Sequence, residues 1–348
     1  MKKILFLSNI PTPYQIDFFE EVEKYCRVST IFLADRELNR DWILLRKPWI
    51  SILNSYKGRS AWKNLLGNIK KFQPNQVLIG GYSLPLSLRL RFYCFLHKIS
   101  VYYWLECPSP ASKVKDFFRK LAWRITLPYV NKVFCIGEKA MIAYRPFSKK
   151  VVNLPYSINS ERYPIRTTER LVKPLKCVFI GQYISRKGIP ELLEAFAQIN
   201  HDQATLTFFG SGELEAMIDR YAIKFSNITN LGFVNPNELN KLIREYDLLI
   251  APSRHDGWGI VVVEAMMSGL PVISTTNTGA FMEFFKDDDS IKIGSLCEVN
   301  AQSIKLAVNS YLLDSSKIVD EGIRARERAI KSLAEVKNAC CQLLRELN

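Results

Sequence analysis

Two carboxylates eight residues apart, Asp256 and Glu264, stand in the chemically densest stretch of this 348-residue chain. It reads Pro252-Ser-Arg-His-Asp-Gly-Trp-Gly-Ile-Val-Val-Val-Glu264-Ala-Met-Met-Ser-Gly-Leu-Pro-Val-Ile273. A strand ends at its start, Gly257 and Gly259 let backbone amides approach a ligand closely, and a helix is predicted to begin near Ile260. Exposed amides and the dipole of a helix N-terminus favour a phosphate or a polyhydroxy group. The spacing puts Asp256 on the loop and Glu264 a turn or so into the helix, so both can face one pocket. Carboxylates placed in this way hydrogen-bond sugar or ribose hydroxyls. Glu264 lies between Val263 and Ala265 in an apolar run, where a charge without a partner is costly, so a partner is expected.

Weaker signals accompany this one. Phe179-Ile-Gly-Gln-Tyr-Ile-Ser-Arg-Lys-Gly188 follows a predicted strand and carries the adjacent cations Arg186 and Lys187, which alone would be an ordinary solvated pair. Phe209-Gly-Ser-Gly212, Leu231-Gly-Phe-Val-Asn235 and Thr275-Thr-Asn-Thr-Gly-Ala280 also end strands, and each is generic to α/β folds. The eight cysteines (26, 94, 107, 135, 177, 297, 340, 341) form no CxxC pair and have no His at ligand spacing. They are read as buried free thiols rather than a metal site or disulfide framework. Of the three histidines, His97 and His201 lie in polar surroundings and are expected in solvent, while His255 is a candidate to line the site beside Asp256.

Elements that could position these groups alternate between strand and helix, the sign of βαβ units and parallel sheets. Strands are predicted at 4–8, 28–33, 76–79, 101–105 and 133–136, with helical spacing over 15–25 and 113–127. Residues 151–170 read as a polar linker. The alternation restarts with strands at 177–180, 206–209, 228–231, 248–251 and 271–274, and a helix runs from Glu191. Another helix begins at Pro236, with Asn235 as N-cap and Glu238 in the first turn. The expectation is an α/β chain of two doubly wound domains, 1–160 and 161–348, facing a cleft. The last helix, about 325–348, is expected to pack back toward the first domain. Ligands in such sheets sit beyond the carboxyl ends of the strands.

Length alone suggests two domains, and the 48% hydrophobic fraction suits globular packing. No apolar run approaches the ~20 residues needed to span a bilayer. The opening MKKILFLSNIP is too short a run for a signal peptide and is followed by Pro13, so it reads as a buried strand of a cytoplasmic protein. Charge is uneven. Residues 1–160 hold 26 Lys+Arg against 10 Asp+Glu, and the remainder is close to neutral, although the whole chain carries +14. Such asymmetry suggests an anionic partner for the first half, or a basic surface with no partner at all.

The 252–273 stretch resembles the family-4 glycosyltransferases, retaining enzymes of GT-B fold marked by an acid, seven residues, then Glu. The resemblance implies that Glu264 binds the nucleotide ribose and that Asp256, shorter than the usual Glu, lies against the donor sugar. Lys187 matches the family's diphosphate-binding Lys in its Gly-x-x-x-x-x-Lys-Gly stretch, which opens at Gly181. Gln182 replaces an Arg common there, and Arg186 offers a substitute. Gly210, Gly212 and Val234 match loops around the nucleotide. Thr278 and Gly279 match a loop whose amides approach the phosphates, and Gly257, Trp258, Gly259 and Ile260 complete the implied donor set. In the first half, Ser8-Asn-Ile-Pro-Thr-Pro-Tyr14 replaces a common Gly-Gly pair, which makes Pro13 and Tyr14 acceptor candidates. Glu106 or Cys107 stands where many members have a His; Glu106 is taken as catalytic with Asp256 and Lys187. This first half looks like bacterial enzymes of capsule, O-antigen and exopolysaccharide assembly.

Transfer is therefore expected from a nucleotide sugar, a UDP-sugar first and GDP-mannose next, to a polyprenyl-diphosphate-linked acceptor at an anionic membrane surface. Retention, no cofactor and no metal are implied. The acid run Asp287–Asp289 reads as a solvated turn. A sugar-nucleotide 2-epimerase shares the architecture but fits the Lys187 and Asp256…Glu264 match less well. A NAD-dependent oxidoreductase would need GxGxxG, which SNIPTPYQ lacks. Nucleic-acid binding would explain the basic half and leave the second half unexplained.

Overall fold

The computed structural model describes residues 2–35, 47–53, 58–81, 84–165, 173–285, 292–331 and 336–347. Asp287–Asp289 and residues 166–170 of the expected linker lie outside the described residues. The chain divides into two units, Met1–Ser157 with Val336–Asn348, and Ile158–Glu335.

In the first unit, β1 (Lys3–Ser8), β2 (Arg27–Phe32), β3 (Ile50–Ile52), β4 (Gln76–Gly80), β5 (Ser100–Leu105), β6 (Lys132–Cys135) and β7 (Val151–Asn153) form one parallel sheet. Its order is β3-β2-β1-β4-β5-β6-β7. The helices α1 (Pro13–Glu23), α2 (Gly58–Phe72), α3 (Leu84–Leu96), α4 (Lys113–Thr126) and α5 (Glu138–Tyr144) connect the strands. The central strands are almost continuously apolar because both faces of a parallel sheet are covered. Pro13 opens α1, since the first turn needs no amide from it. Thr12 caps that turn, its Oγ1 accepting from the Gln15 amide at 3.4 Å. Phe18, Phe19 and Phe6 pack around Trp104, whose indole N–H donates to the Leu154 carbonyl at 2.8 Å. Full burial of each such ring contributes about 1.5–3 kcal/mol.

In the second unit the strands are β8 (Leu175–Ile180), β9 (Ala204–Phe209), β10 (Ile228–Asn230), β11 (Leu248–Ala251), β12 (Val272–Ser274) and β13 (Gly294–Leu296). They run parallel in the order β10-β9-β8-β11-β12-β13. The helices are α6 (Ile189–Phe196), α7 (Glu215–Lys224), α8 (Pro236–Leu242), α9 (Ile260–Met267), α10 (Gly279–Phe284), α11 (Ala301–Leu313) and α12 (Ser316–Lys331). Asn235 does precede α8, but its side chain makes no capping bond.

Two boundaries differ from the sequence reading. The segment read as a linker from residue 151 begins with β7, a three-residue edge strand too short to register as a period. The single last helix is instead α12 and a separate α13 (Val336–Glu346), with α13 in the first unit. There Gln76 donates to the Leu347 carbonyl at 2.9 Å, Lys132 to the Glu346 carbonyl at 2.6 Å and Gln342 to the Asn153 carbonyl at 2.7 Å. The first two of these bonds satisfy carbonyls that the last turn of a helix leaves without partners, and the third ties α13 to the end of β7.

Candidate donor-binding site

In both sheets the strand order reverses next to the first strand, and ligands of doubly wound folds bind at the carboxyl ends on either side of that reversal. In the second unit the reversal lies between β8 and β11, so the loops leaving those strands, 181–188 and 252–259, meet there. Gly188 makes the meeting possible. Its φ of +75° is left-handed, and a Cβ at this position would stand 2.1 Å from the Pro252 carbonyl oxygen. The Arg254 amide then donates to the Arg186 carbonyl at 2.8 Å, and the Arg186 guanidinium to the His255 carbonyl at 2.9 Å. A 3-10 turn over Ser185–Lys187 carries Lys187 into the same place.

Lys187 and Asp256 form an ion pair, both side chains largely buried, with the Arg186 guanidinium 3.9 Å from the other carboxylate oxygen. Burial works to raise the Asp256 carboxyl. The Lys187 ammonium, with Arg186 and His255, outweighs it and holds the group below its usual value. Asp256 is therefore a carboxylate at neutral pH, and Lys187 is no solvated surface cation. Arg186 is half-exposed, and Arg254 pairs with Glu191.

The α9 helix begins at Ile260, immediately after the two-glycine loop. Gly259 has φ +81°, and a Cβ there would stand 2.7 Å from the Thr278 methyl and 3.3 Å from the Asp256 carboxylate. A glycine is thus required for the loop, Asp256 and Thr278 to share this space. Of the amides opening α9, that of Val262 donates to the Gly259 carbonyl at 3.0 Å, while those of Ile260 and Val261, four and five residues after Asp256, come before any intrahelical acceptor. Glu264 projects from the second turn of α9 and is partly buried. Its Oε1 accepts from the Tyr163 hydroxyl at 2.8 Å. Burial raises the Glu264 carboxyl, and the Tyr163 bond pulls it partly back. Tyr163 is the partner the apolar run demanded. Nothing in the sequence marked it, since it lies 101 residues away in the polar segment read as a linker.

Other residues singled out from sequence have different surroundings. Trp258 is 2% exposed, its indole packed against Phe284, so its side chain belongs to the core and only its backbone can reach a ligand. The loop at 275–280 is self-satisfied. The Gly279 amide donates to the Asp256 carbonyl at 3.2 Å, the Thr278 amide to the Thr275 carbonyl at 3.2 Å and the Ala280 amide to the Trp258 carbonyl at 2.7 Å. The Thr278 hydroxyl accepts from Ser274 at 3.0 Å. These groups fix the backbone around Asp256 and Trp258, and those amides point at protein carbonyls. Gly210 lies against the Gly181 carbonyl and Gly212 against that of Tyr183, while the Gly210 amide donates to the Gly232 carbonyl at 2.9 Å. This joins the loops of Gly181, Gly210 and the half-buried Val234 at the carboxyl ends of β8, β9 and β10. Gln182 is also half-buried there.

In the first unit, Glu106 follows β5 and is exposed; Tyr156, buried, has a hydrogen bond to it and another to Gln15. Tyr14 packs against Tyr156 with ring centroids 4.6 Å apart and planes tilted by 46°, and Pro13 is the first residue of α1. Burial raises the Cys107 thiol, so it is a poor nucleophile. Burial likewise pushes the Cys94, Cys135, Cys297 and Cys340 thiols up to about 12. His97 and His201 are exposed.

Residues 165–331 match the family profile of glycosyl transferases group 1. An uncharacterized glycosyltransferase of Methanocaldococcus jannaschii is 32% identical over 32% of this chain and 29% of its own length. The chain thus spans under a third of that relative. The amylovoran biosynthesis glycosyltransferase AmsK of Erwinia amylovora is 24% identical over 47% of this chain and 42% of its own. In fold, Anabaena HepE in complex with UDP matches 100% of this chain and 99% of its own at a TM-score of 0.77 and 17% identity. Two parallel, Rossmann-like sheets of this kind, the second carrying the glycosyl transferases group 1 segment, give the chain the GT-B fold.

Proposed function

We propose that this chain is a retaining, metal-independent glycosyltransferase of family 4 type. It takes a nucleotide-sugar donor, a UDP-sugar first and GDP-mannose next, and delivers the sugar to a lipid-linked saccharide in bacterial surface-polysaccharide synthesis. The observation that carries the reading is the convergence of the Lys187–Asp256 pair, the N-terminus of α9 and Glu264 at the strand-order reversal of the second sheet. UDP in the complex of HepE, a protein of similar fold, and amylovoran synthesis in the name of AmsK support the donor and the setting.

In this reading Lys187 and the amides opening α9 neutralise the diphosphate as it leaves, which is where negative charge grows in the transition state. Asp256 aims the ammonium and lies against the donor sugar, and Glu264 takes the ribose hydroxyls. No carboxylate in the sequence announces itself as a nucleophile, so attack on the same face is favoured, with the departing phosphate accepting the acceptor's proton. Glu106, Pro13 and Tyr14 belong to the acceptor side.

The acceptor's membrane setting rests on α4. Val114, Phe117, Phe118, Leu121 and Ile125 are exposed on it beside Lys113, Lys115, Lys120 and Arg124, and Trp123 is its buried residue. On α3, Leu90 is core, while Phe92, Phe95 and Leu96 are exposed. Apolar side chains rimmed by cations suit an anionic headgroup layer, and each cation near it contributes about 1 kcal/mol. No helix among the described residues is long and apolar enough to cross a membrane.

A thermal-shift screen of UDP-, GDP-, ADP- and dTDP-sugars tests the donor, followed by transfer to lipid-linked acceptor with and without EDTA. Stabilisation by a nucleotide sugar and EDTA-resistant transfer are expected. Hydrolysis or epimerisation without transfer would overturn the assignment, and strict Mg²⁺ or Mn²⁺ dependence its metal-free mechanism. The product's anomeric configuration, read by NMR, tests retention.

A further inference from the structure

Tyr163 lies outside every motif of the sequence, yet it is buried and its hydroxyl is the hydrogen-bond partner recorded for the Glu264 carboxylate, at 2.8 Å. The segment that carries it is fastened to the far end of α9 from a third element. Arg326, on α12, donates to the Met267 carbonyl at the end of α9 and, at 3.4 Å, to the carbonyl of Tyr163 itself. A Cβ on Gly269, just after α9, would touch the Ile165 side chain at 4.0 Å, so the segment is seated at the end of α9 through the Arg326 bridge and again at Ile165. The phenol is therefore carried by a segment whose attachments do not depend on Glu264.

We propose that Tyr163 is a positioning residue for the donor. Its hydroxyl occupies Oε1 of Glu264, fixes the carboxylate's rotation and leaves Oε2 directed at a vicinal diol of the nucleotide. This rests on the donor-site reading above. A free carboxylate on α9 could rotate about its terminal bond and would present a diol with a mixture of orientations; one oxygen tied to a rigid phenol presents a single one. The hydrogen bond also opposes the effect of burial on the carboxyl, keeping an acceptor for ribose hydroxyls. Arg326 acts one step further out, holding the Tyr163 segment and not the carboxylate.

The test is isothermal titration of UDP and GDP, and of their 2′,3′-dideoxy counterparts, into the full chain and its Tyr163→Phe and Glu264→Ala variants. Phe keeps the ring and its packing, so the variant should fold with a nearly unchanged Tm. Tyr163→Phe should weaken the better-bound nucleotide about ten-fold, in keeping with a hydrogen bond to a charged group. The same variant should leave the affinity of its dideoxy counterpart within about two-fold, because the coupling vanishes when the diol is removed. In steady state the donor KM should rise with little change in kcat. If Glu264→Ala weakens nucleotide binding and Tyr163→Phe does not, or if Tyr163→Phe weakens ribo and dideoxy forms equally, the positioning role is overturned and the donor site stands. If Glu264→Ala changes neither nucleotide, the donor-site reading falls and this inference with it.

Discussion

The two units share a strand order over six strands, the first adding β7 at one edge, and so each has the same kind of crevice beside its first strand, yet the two crevices are furnished in opposite ways. In the second unit the loops at the reversal bring together Lys187, Arg186 and Asp256, with glycines where two backbones all but touch. In the first unit the corresponding ends of β1 and β4 carry Asn9 and Gly81 in close approach, backed by Tyr14, Tyr156 and Trp104. One crevice is built of paired charge, the other of rings and amides. Charge is distributed the other way on the surfaces, where the first unit holds the basic excess and the exposed apolar face of α4. The lesson is that the fold supplies a place for a ligand twice, and side chains alone decide what each place can take.

Perturbing each side in turn sharpens that contrast. The largest expected effect is on membrane partitioning. Replacing Lys113, Lys115, Lys120 and Arg124 by Gln should lower vesicle binding by on the order of 10³-fold with anionic lipid at low salt, from about 1 kcal/mol each. Nucleotide binding should not change. Co-sedimentation that ignores lipid charge and salt would leave the basic half without a membrane role. Next, Lys187→Ala should lower turnover by on the order of 10²-fold or more while the fold survives, because leaving-group charge loses its cation. Near-normal turnover in that variant would move the diphosphate elsewhere. Glu106→Gln should cost less, about ten-fold in transfer, and leave nucleotide affinity untouched. A change in nucleotide affinity on this substitution would erase the division of labour between the two crevices.

The smallest effect concerns pH. The Asp256 carboxyl is held below its usual value, so the pair adds stability that is fully present above the ordinary carboxylate range, and that stability is lost as pH falls through the lowered folded value. Asp256→Asn should cost on the order of 1 kcal/mol at neutral pH and reduce the further loss of Tm in acid. An unaltered acid limb would show that the pair contributes nothing to stability.

Most strands were legible in the sequence because a buried parallel strand is a short apolar run closed by a turn residue, as in β8, β11 and β1. The start of α9 was legible for a similar local reason, a two-glycine loop before an apolar helix. β3, β7 and β13 were missed, since strands of three residues at a sheet edge carry no periodicity. Trp258 was read with its neighbours in the donor loop, yet alternate residues of a loop can face opposite ways, and its indole turned inward onto Phe284. The loop at 275–280 was matched by resemblance to one whose amides approach the phosphates, and tertiary packing set the Asp256 and Trp258 carbonyls opposite the amides of Gly279 and Ala280.

What the sequence determined by itself is local or summed: strand and helix periods, the basic first half, and the spacing that sets Asp256 before a helix and Glu264 within it. Such features survive without knowledge of neighbours, because periodicity and net charge are properties of a segment. The tertiary structure decided the pairings. Lys187 meets Asp256 across 69 residues and Tyr163 meets Glu264 across 101, each through loops that only sheet order brings together. It also decided that Val114, Phe117, Phe118, Leu121 and Ile125 of α4 stay in solvent while Leu86, Leu90 and Cys94 of α3 are core. A hydrophobic stripe fixes which residues would be buried together, and whether another element covers them depends on the packing of the whole unit.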